Sequence, residues 1–160
     1  MLSDSVQTEI ITFIESTFPT VFVVRINFKS GKKNILQVRV DTDQGISMET
    51  CALIARKLGP WLDEEDLLPG DYGMEVSSPG IGEAIVLPRQ YRKNVDRFFR
   101  VRLTSGEHIE GKLISSNEVS LKLLPLAPKS KQVKGRPTKF LEQERTLEFD
   151  QIEESKVILL

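Results

Sequence analysis

Glu75–Val76–Ser77–Ser78–Pro79–Gly80 is the stretch on which the reading of this chain turns. It closes a short strand with Tyr72, Met74 and Val76 on one face, then stops on a constrained turn. Proline fixes its own φ, and the glycine after it is expected to supply a φ that other residues resist. Such a turn between two differently patterned regions marks a domain boundary. The chain divides on this reading into residues 1–84 and 85–160.

On the N-terminal side, Val6, Ile10, Ile14 and Phe18 recur at four-residue steps, with Ile11 widening the stripe, which is a helical period. Asp4 is expected to cap this helix, with Gln7 reaching back, and Pro19 to end it. Phe22, Val24, Ile26 and Phe28 alternate with Val23, Arg25 and Asn27 in a half-buried strand. Lys29–Ser30–Gly31–Lys32–Lys33 makes a hairpin turn, and Leu36, Val38 and Val40 face inward on the return. Ser47 caps a second helix that buries Cys51, Ile54, Ala55 and Leu58, with Gly59–Pro60 as its expected stop. An acidic turn, Asp63 to Asp66, leads into the strand that ends at the opening motif. The order α-β-β-α-β lets two helices cover one face of a small sheet. The other face stays open and carries Arg25, Gln37, Arg39 and Glu75.

On the C-terminal side, Pro88–Arg89–Gln90–Tyr91 reads as a single helical turn. Only short strands follow, built on Phe99, Val101 and Leu103; Ile109, Gly111 and Leu113; Val119, Leu121 and Leu123; Leu147 and Phe149; and Val157 and Leu159. Five short strands so closely spaced read as a small β-barrel, and Gly111 in mid-strand suits its sharp bend. A polar insertion rich in Lys, Pro and Gly interrupts the strands at about residues 125–145. The fold class is thus α+β, followed by a small barrel.

The 160 residues, 39% hydrophobic and 28% charged, fit a soluble globular protein of one ordinary or two small domains. No apolar run is long enough to span a bilayer, and the polar, acidic Met1–Glu9 segment is not expected to act as a signal peptide. Cys51 is the single cysteine, so no intramolecular disulfide forms and a cytoplasmic setting is expected. A net charge of −1 hides an asymmetry. Residues 1–84 hold 7 Lys+Arg against 13 Asp+Glu, a net of −6, and residues 85–160 hold 15 against 10, a net of +5. The two halves suit different partners.

Asp41–Thr42–Asp43–Gln44–Gly45 has the look of a calcium loop, but its glycine comes one place early and no Glu stands at the twelfth position. Its acids and Gly45 are better read as shaping the strand-to-helix turn. Gly70–Asp71–Tyr72–Gly73 matches the G-x-x-G of an RNA-clamping KH loop, yet its second glycine falls inside a strand instead of between helices. Ser77 and Ser78 lack a base held by a third group, since the only histidine, His108, alternates out to solvent beside Glu110 and Lys112. No P-loop, dinucleotide fingerprint or Cys/His cluster is present, so no enzyme, metal or cofactor is expected. Lys129, Lys131, Lys134, Arg136 and Lys139 form a run with no acid among them, stiffened by Pro128 and Pro137 and loosened by Gly135. Such a run is a phosphate-binding arm or a solvated mobile loop. With only Phe140 nearby for base stacking, it would not read sequence.

Two motifs in order, Val40–Asp41–Thr42–Asp43–Gln44–Gly45–Ile46 with Cys51 after it, and then Glu75–Val76–Ser77–Ser78–Pro79–Gly80, resemble those of the bacterial ribosome maturation factor RimP family. The resemblance runs roughly from Glu9 to Val157. It implies a KH-like N-terminal domain, a C-terminal SH3-like (Sm-like) barrel, and no catalysis. It also implies binding to the immature small (30S) ribosomal subunit, ribosomal RNA and a decoding-region ribosomal protein included, and help in its late assembly. Asp41, Asp43, Gly45, Glu75, Ser77, Ser78, Pro79 and Gly80 would serve as structural motif residues. Lys129, Lys131, Lys134, Arg136, Lys139, Arg25 and Arg39 would meet the ribosome. A monomer is expected, with no membrane and no small-molecule substrate as partner. The family usually continues after Pro-Gly with a hydrophobic residue and Asp-Arg-Pro-Leu, where this chain has Ile81–Gly82–Glu83–Ala84–Ile85, so an arginine has become Glu83. The rival reading is a general RNA-binding or RNA-chaperone module built on the barrel and the basic loop.

Overall fold

In the computed structural model, which describes residues 2–80 and 82–159, helix α1 (Asp4–Thr17) is capped by Ser3, not by Asp4. The Ser3 hydroxyl accepts from the Val6 amide at 3.2 Å, and the Gln7 side chain donates to the Leu2 carbonyl. Asp4 therefore sits in the first turn, where its charge suits the positive end of the helix. Ile10 and Ile14 are fully buried, as their four-residue spacing requires.

Strand β1 (Val21–Lys29) pairs antiparallel with β2 (Asn34–Thr42). The simple alternation expected for β1 fails at Val24. Val23 faces Val40 and Arg25 faces Arg39, so Val24 is an extra residue and the inward parity switches. The core takes Val21 and Val23 before the bulge and Ile26 and Phe28 after it. Phe22 and Val24 are buried yet stand outside that cluster.

Helix α2 (Met48–Glu65) starts at Ser47, whose hydroxyl accepts from the Thr50 amide, and runs straight through the expected stop. Pro60 lies inside it, and the chain leaves the helix only at Asp66, in the left-handed region at φ 52°. Proline in a helix interior costs about 3 kcal/mol, and its ring crowds both the backbone N–H and the Cβ of the residue before it. Gly59 has no Cβ. Beyond Pro60, Leu62 is buried and Trp61 stacks on Phe13 of α1 at 4.4 Å. Tertiary packing thus outweighs the local stop signal. Strand β3 (Tyr72–Ser77) returns parallel to β2, giving a sheet in the order β1-β2-β3 with α2 as the crossover.

The chain divides into two units, Met1–Pro79 and Gly80–Leu160. Segment 82–85 goes with the second because Ala84 bridges Lys156 and the Ile85 amide donates to the Ser155 carbonyl. Gly80 is not in the left-handed region, contrary to expectation; Gly82 is, at φ +91°. The turn is closed by the Glu83 amide on the Gly80 carbonyl and by the Gly80 amide on the Glu83 carboxylate, both at 3.1 Å. Ile81 lies outside the described residues. Gly82→Val should therefore lose about 1–3 kcal/mol while Gly80→Val loses far less. Urea midpoints of the two variants check this, and equal midpoints would count against it.

The second unit opens with a 3-10 turn, Pro88–Asn94. Buried Gln90 accepts from the Val86 and Leu87 amides, and its own carbonyl holds Asn94. Strands β4 (Phe98–Leu103), β5 (His108–Ser116), β6 (Ser120–Pro125), β7 (Arg145–Glu148) and β8 (Ile152–Ile158) form one antiparallel sheet in the order β7-β6-β5-β4-β8. β7 and β8 are the ends of that sheet, joined by the 3-10 turn Phe149–Gln151. Phe149 is thus not a strand residue; it stacks on Tyr91 at 5.2 Å. Val119 is 69% exposed instead of inward, because the Asn117 side chain accepts from the Val119 and Ser120 amides and turns Val119 out. Leu159 lies past the end of β8 and is exposed.

Each unit holds one of the two tyrosines. Burial, then the 3.0 Å hydrogen bond its hydroxyl donates to Asp63, pushes the Tyr72 phenol up to about 12. Burial also raises the Tyr91 phenol, against a lowering from its hydrogen bond with Ser155. Both folded values lie above the unfolded one of about 10. The stability they contribute is full below that pH and is lost as pH rises through the folded values. An absorbance titration of phenolate should show the native Tyr72 step near 12 and both steps near 10 in urea. A native step of ordinary position for both tyrosines would sink this.

Candidate nucleic-acid interface

In the first unit, the outward side of the sheet brings together the residues that the alternation placed there. Arg25 stands opposite Arg39, Gln37 opposite Glu75, and Arg39 opposite Ser77. Arg39 donates to the Glu75 carboxylate at 3.1 Å and to the Ser77 hydroxyl at 2.8 Å. Both motif residues thus hold this guanidinium, and its charge is largely compensated. Exposed Arg25 lies one residue past the bulge. Asp41 is fully buried, and its carboxylate accepts from the Thr42 amide, while Gly45 takes φ +91° in the turn into α2. Asp43 is half-buried in that same turn. Burial, with the Asp41 charge behind it, raises the Cys51 thiol, which therefore stays protonated at neutral pH.

In the second unit, the basic segment is a built loop instead of a loose arm. Its ends meet where Leu126 bridges Phe140 and the Ala127 amide donates to the Lys139 carbonyl. Gln132 ties it from within. Its amide nitrogen donates to the Ala127 carbonyl at 3.0 Å and the Lys139 carbonyl at 2.8 Å, and its oxygen accepts from the Lys139 amide at 2.9 Å. A 3-10 turn, Lys129–Lys131, and a tight turn from Val133 to Arg136, with Gly135 at φ +82°, shape the rest. Phe140 stacks on Phe98 of β4, with ring centroids 6.0 Å apart. A loop whose close ends are packed by its own side chains is an Ω-type excursion.

The loop and the outward side of β4 and β5 enclose an open cleft of about 1170 Å³. Lys129, Lys134 and Arg136 line it from the loop, and Arg100, His108 and Glu110 from the strands. Leu126, Ala127, Pro128 and Val133 give it an apolar wall. Glu110 pairs with Arg100 at 2.7 Å, while the five loop cations make no ion pair among the described residues. Lys131 and Lys139 do not line the cleft. Sequence reasoning missed Gln132, Arg100 and His108. The strand parity put His108 on the outward face correctly, but nothing in the pattern said that the loop would lie beside it. No group of three or more metal-ligating side chains occurs among the described residues. Nor is any helix among them long and apolar enough to cross a membrane.

The family model for the RimP N-terminal domain matches residues 14–82, which takes in both motifs and Gly82. A ribosome maturation factor RimP of Chlorobium phaeobacteroides is 32% identical, covering 94% of this chain and 95% of its own length. Proteins of the same name from Christiangramia forsetii and Chlorobium luteolum are each 32% identical; the first covers 86% of both chains, the second 82% of this chain and 80% of its own. The bulged β1–β2 hairpin, the turn at Gly45 and the Arg39–Glu75–Ser77 contact are therefore features of a chain that belongs to the ribosome maturation factor RimP family.

Proposed function

We propose that this chain is a ribosome maturation factor that binds the immature small ribosomal subunit and assists its late assembly by binding alone. The observation that carries this is the 32% identity, over 94% of the chain, to a relative named for ribosome maturation. On this reading ribosomal RNA and a decoding-region ribosomal protein are the partners, and the chain acts in the cytoplasm as a monomer. The first unit is taken as KH-like and the second as an SH3-like (Sm-like) small β-barrel. The latter rests on the last strand returning to pair with the first across a 3-10 turn. The two units are taken to fold independently. Lys129, Lys134 and Arg136, with Arg25, are the cations proposed to meet RNA; Arg39 serves mainly to hold Glu75 and Ser77.

Co-sedimentation with free small subunits and with complete ribosomes tests the reading. The chain should travel with free subunits and not with complete ribosomes. A strain lacking it should accumulate free subunits carrying unprocessed small-subunit RNA. A normal ribosome profile and normal RNA ends, under slow and fast growth, would overturn the proposal. A general RNA-binding module would instead bind naked RNA as well as subunits, and the same gradients separate the two.

A further inference from the structure

The geometry points to the cleft between the Gln132-stapled loop and the outward side of β4–β5 as a preformed site for the phosphodiester backbone of single-stranded RNA. This rests on the ribosome-directed reading above for its choice of RNA over another polyanion. Three observations carry it. Lys129, Lys134 and Arg136 converge on one cavity from a single loop, with no acid in the loop to neutralise them. The cavity, at about 1170 Å³, exceeds the roughly 300–1,000 Å³ of a small-molecule pocket and is open to solvent, as a groove for a strand must be. Its wall is apolar on one side, and a low-dielectric wall focuses the field of the cations into the cleft. No Phe, Tyr or Trp lines it, His108 is its one aromatic ring, and Phe98 and Phe140 are already stacked on each other. The site therefore tracks backbone and tolerates any base sequence. His108 and Arg100 extend the line of donors onto the strands.

Gln132 is the positioning residue. It is uncharged, and its three hydrogen bonds hold both ends of the loop at one distance. A loose arm would keep its affinity without Gln132, because its charge would be unchanged. A preformed cleft would not, because the loop would have to be ordered on binding. The probe is a fluorescent twelve-residue oligouridylate, titrated into the full chain at several salt concentrations, with a polyglutamate peptide of equal length as the second arm. Gln132→Ala should weaken oligouridylate binding about three- to tenfold, the cost of ordering one or two groups. Its log–log salt slope should stay near that of the parent. Arg136→Ala should weaken binding and lower the slope by about 0.7, one single-strand phosphate contact. Amide spectra of both variants verify the fold. If Gln132→Ala disturbs it, Arg136→Ala and His108→Ala carry the test, since neither side chain belongs to the loop's scaffold. No oligouridylate binding by the parent, unchanged affinity in Gln132→Ala with its fold intact, or equal binding of polyglutamate would each overturn the proposal. Loss of subunit binding with oligouridylate binding intact would count against the ribosomal reading and leave the cleft standing.

Discussion

Gly111→Ala should unfold the second unit at a far lower urea concentration than the parent. A Cβ at Gly111 would stand 2.5 Å from the Leu124 carbonyl oxygen and 2.9 Å from Leu123 Cγ. The first of these is backbone of the paired strand β6, in the ladder where Gly111 faces Pro125. It cannot swing aside as a side chain tip would. Overpacking of a well-packed site costs about 1–3 kcal/mol, and a clash with backbone belongs at the top of that range. A unit of this size holds roughly 4–12 kcal/mol of stability, so the loss is a large share. Gly31→Ala is the matched control, because nothing lies within 4 Å of its Cβ and its φ is not left-handed. The single tryptophan, Trp61, sits in the first unit and reports on it separately. Far-ultraviolet dichroism should show an early transition in Gly111→Ala while Trp61 fluorescence keeps its midpoint. An unchanged dichroism midpoint would show that β6 can yield.

Replacing Lys129, Lys131, Lys134, Arg136 and Lys139 together by alanine should, on the proposed reading, weaken small-subunit binding most at low salt and make it fall less steeply as salt rises. All five side chains are exposed, and the loop is held by Gln132 and backbone groups, so the fold should survive. Each phosphate contact contributes about 0.7–0.9 to the log–log salt slope. Five contacts would give about 3.5–4.5, but only Lys129, Lys134 and Arg136 line the cleft. The expected change in slope is therefore about 2.1 to 2.7, roughly a 20- to 40-fold difference in how affinity falls between 50 and 200 mM salt. Affinity measured against salt for both proteins decides. An unchanged slope would make the loop a bystander and move attention to Arg25 on the open sheet face.

Much of the first unit could be read from its periodicities. Ile10 and Ile14, Leu36, Val38 and Val40, and Cys51, Ile54 and Leu58 are buried because a four-residue or two-residue repeat leaves them no other face. The failures are places where distant contacts overrule local chemistry. Gly59–Pro60 is a sound stop signal, yet Trp61 and Leu62 gain more from α1 and the core than the helix loses at Pro60. The bulge at Val24 cannot be seen in one strand, because parity changes only relative to a partner. Gly80 and Gly82 are both flexible on paper, and only the hydrogen bonds of the turn select which one goes left-handed. The candidate site was legible as a charge run and illegible as a cleft. Five cations are plain in the sequence, whereas Gln132 gives no sign that it joins Ala127 to Lys139.

The pairing of β4 with β8 has a consequence for how the chain comes off a ribosome. Synthesis runs from the N-terminus, and β4 is among the first strands of its unit to emerge. Its ladder on one side needs β5, which follows within a few residues; the ladder on its other side needs β8, more than forty residues later. Until then Phe99 and Val101 have one neighbouring strand, and Val157 is missing from the core they share. Non-local pairing of this kind is slow and leaves an unpaired strand edge exposed meanwhile. The first unit makes a shorter wait of the same sort, since β3 joins β2 only after α2 has been made. During synthesis the chain should therefore pass through a state with its first unit complete and its second still open at β4. The loop closed by Gln132 would already be in place within that open unit, before the sheet that carries it is finished.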